Sequence, residues 1–293
     1  MPRGILVSCI AGGVLLTCTL LAQKPFREYP GWEYDRENGN GIAIPPDFKV
    51  PGEWTFARMM YPSTRHRIDW QSEFKRGYDW HEGYTNWTID YPRSDRHLSQ
   101  AIRRLTRIDA RSVEQPVNLD EDDDVFNYPW LYAVEVGHWE LTDRQIARFR
   151  EFLERGGFFM CDDFHGTDEW NVFVESMRKV FPDRPIVDIQ SSDQIFHTVF
   201  DLNERYQVPG AQYEFTHSIC EKCPTARPPI FGGGDTPRWR GIYDDHGRLM
   251  VAICHNMDLG DSWENADDPR YPQKFSALGI RLGVDYIVYS MTH

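Results

Sequence analysis

The chain has 293 residues, 41% of them hydrophobic, and sets 45 acidic side chains against 32 Lys and Arg, for a formal net charge of −13. That length suffices for one large core, and we read a single main domain. The acidic balance argues against a nucleic-acid backbone as partner and against electrostatic attachment to anionic lipid.

Residues 1–22 stand apart from the rest. Arg3 and the amino terminus precede an apolar run from Ile5 to Ala22, broken by Ser8, Thr17 and Thr19. This reads as a signal peptide or an N-terminal membrane anchor. Ala22 suits a cleavage position and Leu20 does not, while the run approaches the roughly 17–20 residues needed to span a bilayer. The expectation is an exported protein, periplasmic or envelope-associated, that meets a membrane only through this segment if it stays uncut. Residues 23–52 carry Pro, Gly, Asn and charge without an apolar period, so they read as an extended tether. The folded domain is expected over 53–293.

Trp54 to Tyr61 alternates well enough to be the opening strand, ending at Pro62. Trp70, Phe74, Tyr78, Trp80, Tyr84 and Trp87 then alternate with polar groups. Such a segment suits a carbohydrate or peptide groove, but a packed surface loop is the simpler reading. His97 to Ile108 follows as an amphipathic scaffold helix, with Leu98, Ile102 and Leu105 on its apolar face. The acidic run Glu121 to Asp124 lacks the glycine and spaced ligands of a calcium loop and reads as solvated.

Trp130 to Gly166 predicts strand, loop, helix, strand and polar turn. Trp130 to Val136 is an apolar run that stops at Gly137-His138. Thr142 with Gln145 is a capping box, Ile146, Phe149 and Leu153 repeat at helical spacing, and Gly156-Gly157 supplies the stop. Phe158 to Cys161 is the next strand. Parallel strands joined by a helix put their carboxyl ends on one edge, so Gly137 and His138 should face Asp162, Asp163 and His165 across a crevice.

A helix from about Trp170 to Val180, a short strand at Ile186 to Ile189 and a Pro- and Gly-rich stretch over 203–237 come next. Gly232-Gly233-Gly234 lacks the lysine and setting of a phosphate loop. His217, Cys220 and Cys223 could begin a zinc site, but no fourth ligand completes it. A Cys220–Cys223 disulfide or free thiols fit better in an oxidising compartment. Cys161 and Cys254 lie in apolar strands and read as buried small hydrophobes. Arg238 to Tyr243 and Arg248 to His255 form a β-hairpin, and Phe275 to Tyr289 is a closing helix.

His255, Asp258, Trp263 and Glu264 leave a strand end expected near the same crevice. Together with His138, Asp162, Asp163 and His165 they offer carboxylates and imidazoles, suited to acid/base work or to a hard or borderline metal. The same residues also suit plain structural work, since Asp after a strand often caps the following helix. No organic cofactor is expected, and a divalent metal is the one inorganic group this set would hold.

Several blocks add up to a resemblance. Trp54-Thr55-Phe56-Ala57-Arg58 with Tyr61-Pro62, Tyr128-Pro129, Gly137-His138, Gly156-Gly157 followed by Asp162-Asp163, Phe181-Pro182-Asp183-Arg184-Pro185, Gly247-Arg248, and Asp258-Leu259-Gly260 with Trp263-Glu264 occur in order. Over about residues 53–291 the chain resembles the bacterial domain of unknown function 4159 family. One departure is Gln194, where the family tends to carry a histidine. The resemblance implies a place in the class I glutamine amidotransferase-like superfamily. The fold it implies is three-layer and flavodoxin-like: a mostly parallel α/β sheet with helices on both faces, here with a β-hairpin excursion. Such enzymes carry a cysteine on a strand-to-helix elbow, where this chain has Asp163-Phe164-His165, and no His-x-Glu pair follows near the end of the chain. Glutaminase activity is therefore not expected. The two functions left are a noncatalytic domain binding a small ligand or a cell-envelope protein, and a hydrolase using the Asp and His residues with or without a metal.

Overall fold

A computed structural model describes residues 24–31, 43–63, 79–121, 123–211 and 238–293. The leader, Trp70, Phe74 and Tyr78, the His217, Cys220 and Cys223 cluster and the Gly232 to Gly234 run lie outside the described residues. No helix among the described residues is long and apolar enough to cross a membrane.

One mixed α/β sheet organises the chain. Its strands are β1 (Ala57–Met60), β2 (Gln115–Asn118), β3 (Trp130–Val134), β4 (Phe158–Asp162), β5 (Val187–Asp188), β6 (Arg238–Tyr243) and β7 (Leu249–His255), in the spatial order β2-β1-β3-β4-β7-β6-β5. The five strands from β2 to β7 in that order run parallel. The last two turn antiparallel, with β6 forming the expected hairpin with β7 and β5 pairing beyond it. The Asp244 carboxylate holds the hairpin turn by accepting from the His246 and Arg248 amides.

The helices are α1 (Arg93–Leu105), α2 (Asp143–Glu154), α3 (Gly166–Val180), α4 (Leu259–Glu264) and α5 (Gln273–Thr292). Successive strand residues point to opposite faces, which divides the core in two. Trp130, Tyr132 and Val134 of β3 pack with Leu98 and Ile102 of α1 and with Leu278, Leu282 and Tyr286 of α5. Leu131 and Ala133 pack with Phe149 of α2 and with Phe173 and Met177 of α3. Helices thus cover both faces, and the central strands read as unbroken apolar runs because neither face meets water.

Local chemistry explains the boundaries. Thr142 Oγ1 accepts the Gln145 amide at 3.1 Å and the Gln145 side chain accepts the Thr142 amide at 3.1 Å, so α2 starts where its capping box says. It ends at Gly156, whose φ of 105° favours glycine. Several elements differ from the sequence reading: β1 is shorter, α3 starts at Gly166 and α4 has no counterpart in it. Strand β3 stops at Val134, two residues short of the expected Val136, because Glu135 takes a left-handed conformation. Helix α1 begins four residues before His97, and its apolar face excludes Leu105, which is 51% exposed, while Arg96 is buried against Glu114. Strand β2 was not anticipated, since Pro116 argues against a central strand; here it is tolerated at the sheet's edge. Residues 24–31, read as part of a tether, lie against α1 and the loop before it.

Candidate functional site

The neighbouring parallel strands β3, β4 and β7 each run into a left-handed residue other than glycine: Glu135 (φ 55°), Asp163 (φ 51°) and Asn256 (φ 62°). Asp and Asn visit this region more readily than other side chains. Neighbouring chain holds each bend. The Glu135 amide donates to the Asp162 carbonyl at 3.2 Å, the Asp163 amide to the Met257 carbonyl at 2.8 Å, and the Asn256 amide to the Phe164 carbonyl at 3.0 Å. Asn256 Oδ1 then accepts the Gly166 amide at 2.9 Å, fixing the start of α3. A fourth such residue, Asp90 (φ 61°), reaches this edge from the loop before α1.

Arg58 on β1 sets that loop. Its fully buried guanidinium donates through Nη1 to the carbonyls of Trp87 and Ile89, both at 3.0 Å, through Nη2 to Ser94 Oγ at 3.0 Å, and through Nε to Asp95 Oδ2 at 2.8 Å. A buried bidentate pair with carbonyl acceptors leaves little freedom in the chain on either side of Asp90.

Two groups of charged side chains occupy the edge. In the first, His138 Nε2 lies 3.1 Å from Glu135 Oε2 and 3.6 Å from Glu169 Oε1. Gly137 is what allows it: a Cβ there would come within 2.4 Å of the Glu169 Cβ. Asn86 Nδ2 donates to Glu135 Oε2 at 3.4 Å, and the His165 amide donates to Glu169 Oε2. In the second, carboxylate oxygens of Asp90, Asp163 and Asp258 lie within 4.8 Å of one another, and Asp90 stands in the same relation to Asp261 and Glu264. His165 Nε2 approaches Asp163 Oδ1 at 3.1 Å. Asp258 Oδ1 also caps α4 by accepting the Asp261 amide at 2.8 Å. Burial, and then the charges of Asp163, Asp261 and Asp90, push the Asp258 carboxyl well above the usual carboxylate range. Asp90, Asp163 and Asp258 are the residues that could hold a hard cation through oxygen.

The remaining expected residues support the crevice from behind. Asp162 accepts from the Tyr132 hydroxyl at 2.6 Å and from the Leu259 and Gly260 amides at 2.5 and 2.8 Å, so it fastens α4 to β4. Burial pushes its carboxyl up to about 6. His255 Nε2 lies 3.0 Å from the Gly166 carbonyl and must donate there, which fixes the neutral tautomer. Its ring lies 4.9 Å from those of both Phe164 and Trp170, and burial pushes its pKa down to about 3. Trp263 is core, 5.5 Å from Tyr132 and 6.3 Å from Phe56. Glu264 reaches the second group through Asp90.

The edge therefore brings together His138 with Glu135 and Glu169, and Asp163, His165 and Asp258 with Asp90. Sequence reasoning missed Asp90, Glu135, Glu169, Asn256 and Asp261. Glu169 was within reach, since it follows His165 by four residues at the start of a helix. Asp90 had no local signal.

An α/β protein whose mostly parallel sheet presents carboxylates and histidines along its carboxyl edge is the class these features define. The family model described as Domain of unknown function (DUF4159) matches residues 78–291, and the chain belongs to that family. Comparison with curated proteins finds no match.

Proposed function

We propose that this is an exported, periplasmic or envelope-associated protein built on a class I glutamine amidotransferase-like, flavodoxin-like fold. Its function is to bind a small ligand or a cell-envelope partner in the crevice without catalysing amide transfer. The order β2-β1-β3-β4-β7 supports the fold reading, because it follows the flavodoxin-like order 2-1-3-4-5 with the β5 and β6 excursion inserted before the last strand. The observation that carries the function is Asp163. It occupies the bend after β4 with φ 51°, the place where such a fold would hold its cysteine nucleophile. Cys161, two residues before that bend, is fully buried in β4, and burial pushes it well above the ordinary thiol range, so it offers no thiolate. With carboxylates of Asp90, Asp163 and Asp258 converging, the bound group is a cation or a strong hydrogen-bond donor.

The test is a thermal-shift and calorimetric screen of the purified protein against Mg²⁺, Ca²⁺, Mn²⁺ and simple amines, beside an assay for glutamine hydrolysis. The expected result is a ligand whose binding is lost in Asp163→Asn and kept in Cys161→Ala, with no ammonia released. Glutamine turnover that disappears in Cys161→Ala would overturn it. The 3.1 Å contact between His165 and Asp163 favours one other reading, a hydrolase in which this pair moves a proton. Turnover of ester or amide substrates abolished by Asp163→Ala would establish that reading in place of the first.

A further inference from the structure

Residues 24–31 are bound more closely than a tether requires. Glu28 pairs with Arg96, which is also held by Glu114 at 3.0 and 3.1 Å. Phe26 lies 5.7 Å from the Arg96 guanidinium and 6.0 Å from that of Arg111. Tyr29 packs edge-on against Trp87 at 5.4 Å, and its amide donates to the Tyr91 hydroxyl at 3.1 Å. The Pro30 carbonyl accepts the Tyr84 amide at 3.0 Å, and a Cβ on Gly83 would come within 2.3 Å of that carbonyl. A Cβ on Gly31 would come within 3.0 Å of the Tyr91 carbonyl and 3.1 Å of the Thr88 carbonyl.

These contacts share one target. Tyr84, Trp87 and Thr88 precede Asp90, while Tyr91 and Arg96 follow it. The same loop carries Asn86, which donates to Glu135 in the other charged group. Arg58 grips the loop from the sheet side and residues 26–31 grip it from the other. We infer that residues 24–31 act as a strap that completes the ordering of the 84–92 loop begun by Arg58, so that Asn86 and Asp90 are held firmly at the edge when the strap is docked and loosely when it is released. That the loop serves a ligand rests on the function proposed above; that the strap orders the loop does not.

Hydrogen exchange on the full chain, without any ligand, separates the two. In a Phe26→Ala/Tyr29→Ala variant the amides of Thr88, Ile89 and Ser94, which donate within this loop, should exchange about tenfold faster or more, while those of β3 keep their protection. A synthetic peptide of residues 24–31 added in excess should restore the loss. If the double variant fails to fold, Glu28→Gln and Tyr29→Leu give graded forms of the same test. Wild-type protection of the loop in variants whose strap has been released would overturn the inference, whatever the crevice binds.

Discussion

Both charged groups on the carboxyl edge hold one imidazole, but they differ in how many carboxylates crowd around it. Around Gly137 an imidazole sits between Glu135 and Glu169, within 3.1 and 3.6 Å of their carboxylates. Around Asp163 the single imidazole of His165 stands beside a larger set of carboxylates, and the Asp258 carboxyl rises through burial first and then through the charges of Asp163, Asp261 and Asp90. The first arrangement strengthens the unliganded fold. The second works against it, and a proton or a bound cation relieves it. On the function proposed above, the two neighbouring bends have different tasks: one closes the edge and the other receives the ligand.

The sharpest way to break this comparison is His138→Ala. It takes the imidazole from between Glu135 and Glu169, which keep the Asn86 side-chain and His165 amide donors named above, and unfolding in urea should show a loss of about 3 kcal/mol. An unchanged midpoint would mean that the first group does not hold the edge.

A second prediction concerns pH. His255, held near 3 by burial, stays neutral in the folded state, whereas the unfolded chain takes up a proton below about 6.5, so this residue lowers stability as pH falls through that window. Asp162 and Asp285, the latter on α5 and accepting the Val199 and Phe200 amides, are both pushed up to about 6 by burial and act in the other direction, because the folded state takes up their protons first as pH falls from about 6 towards 4. Replacing His255 with Gln keeps a donor for the Gly166 carbonyl and removes the acid-side penalty. Between about pH 7.5 and about pH 5 the variant should hold about 2 kcal/mol more of its stability than the wild type. Parallel pH profiles would remove His255 from the account.

The smallest expected effect is the most direct test of the second group. In Asp258→Asn the cap of α4 survives, since Asn caps as well as Asp, and only the charge is lost. Stability at about pH 7.5 should rise by about 1 kcal/mol, and the gain should fade on acidification as Asp258 in the wild type takes up its own proton. A loss at every pH would show that the acids around Asp163 are already balanced.

Much of the scaffold was legible because its signals are local. Thr142 and Gln145 announce α2, Gly156 ends it, and the Asp244 to Gly247 turn joins β6 to β7. The Gly137-His138 turn and the Asp162 to His165 turn were placed on one edge from the parallel-strand rule alone. What stayed hidden depends on tertiary contact. Asp90 arrives on a loop whose path is set by Arg58, a residue more than thirty positions earlier, and no spacing encodes that. Asp162 and His255 looked like crevice residues by type and position, yet the first is turned inward by Tyr132 and the α4 amides and the second by the Gly166 carbonyl. Residue type sets what a side chain can do, but backbone partners decide which way it faces.

The bends at Glu135, Asp163 and Asn256 have one further consequence. Each is held in part by an amide-to-carbonyl bond with neighbouring chain, and at Asn256 the side chain adds a bond of its own to the Gly166 amide. The edge is therefore a mount whose head can be changed within limits: at Asp163 an Asn, which takes the same left-handed bend readily, changes what the edge offers while leaving the route of the backbone in place. Asp163→Asn should therefore exchange acid for amide at this bend and still fold.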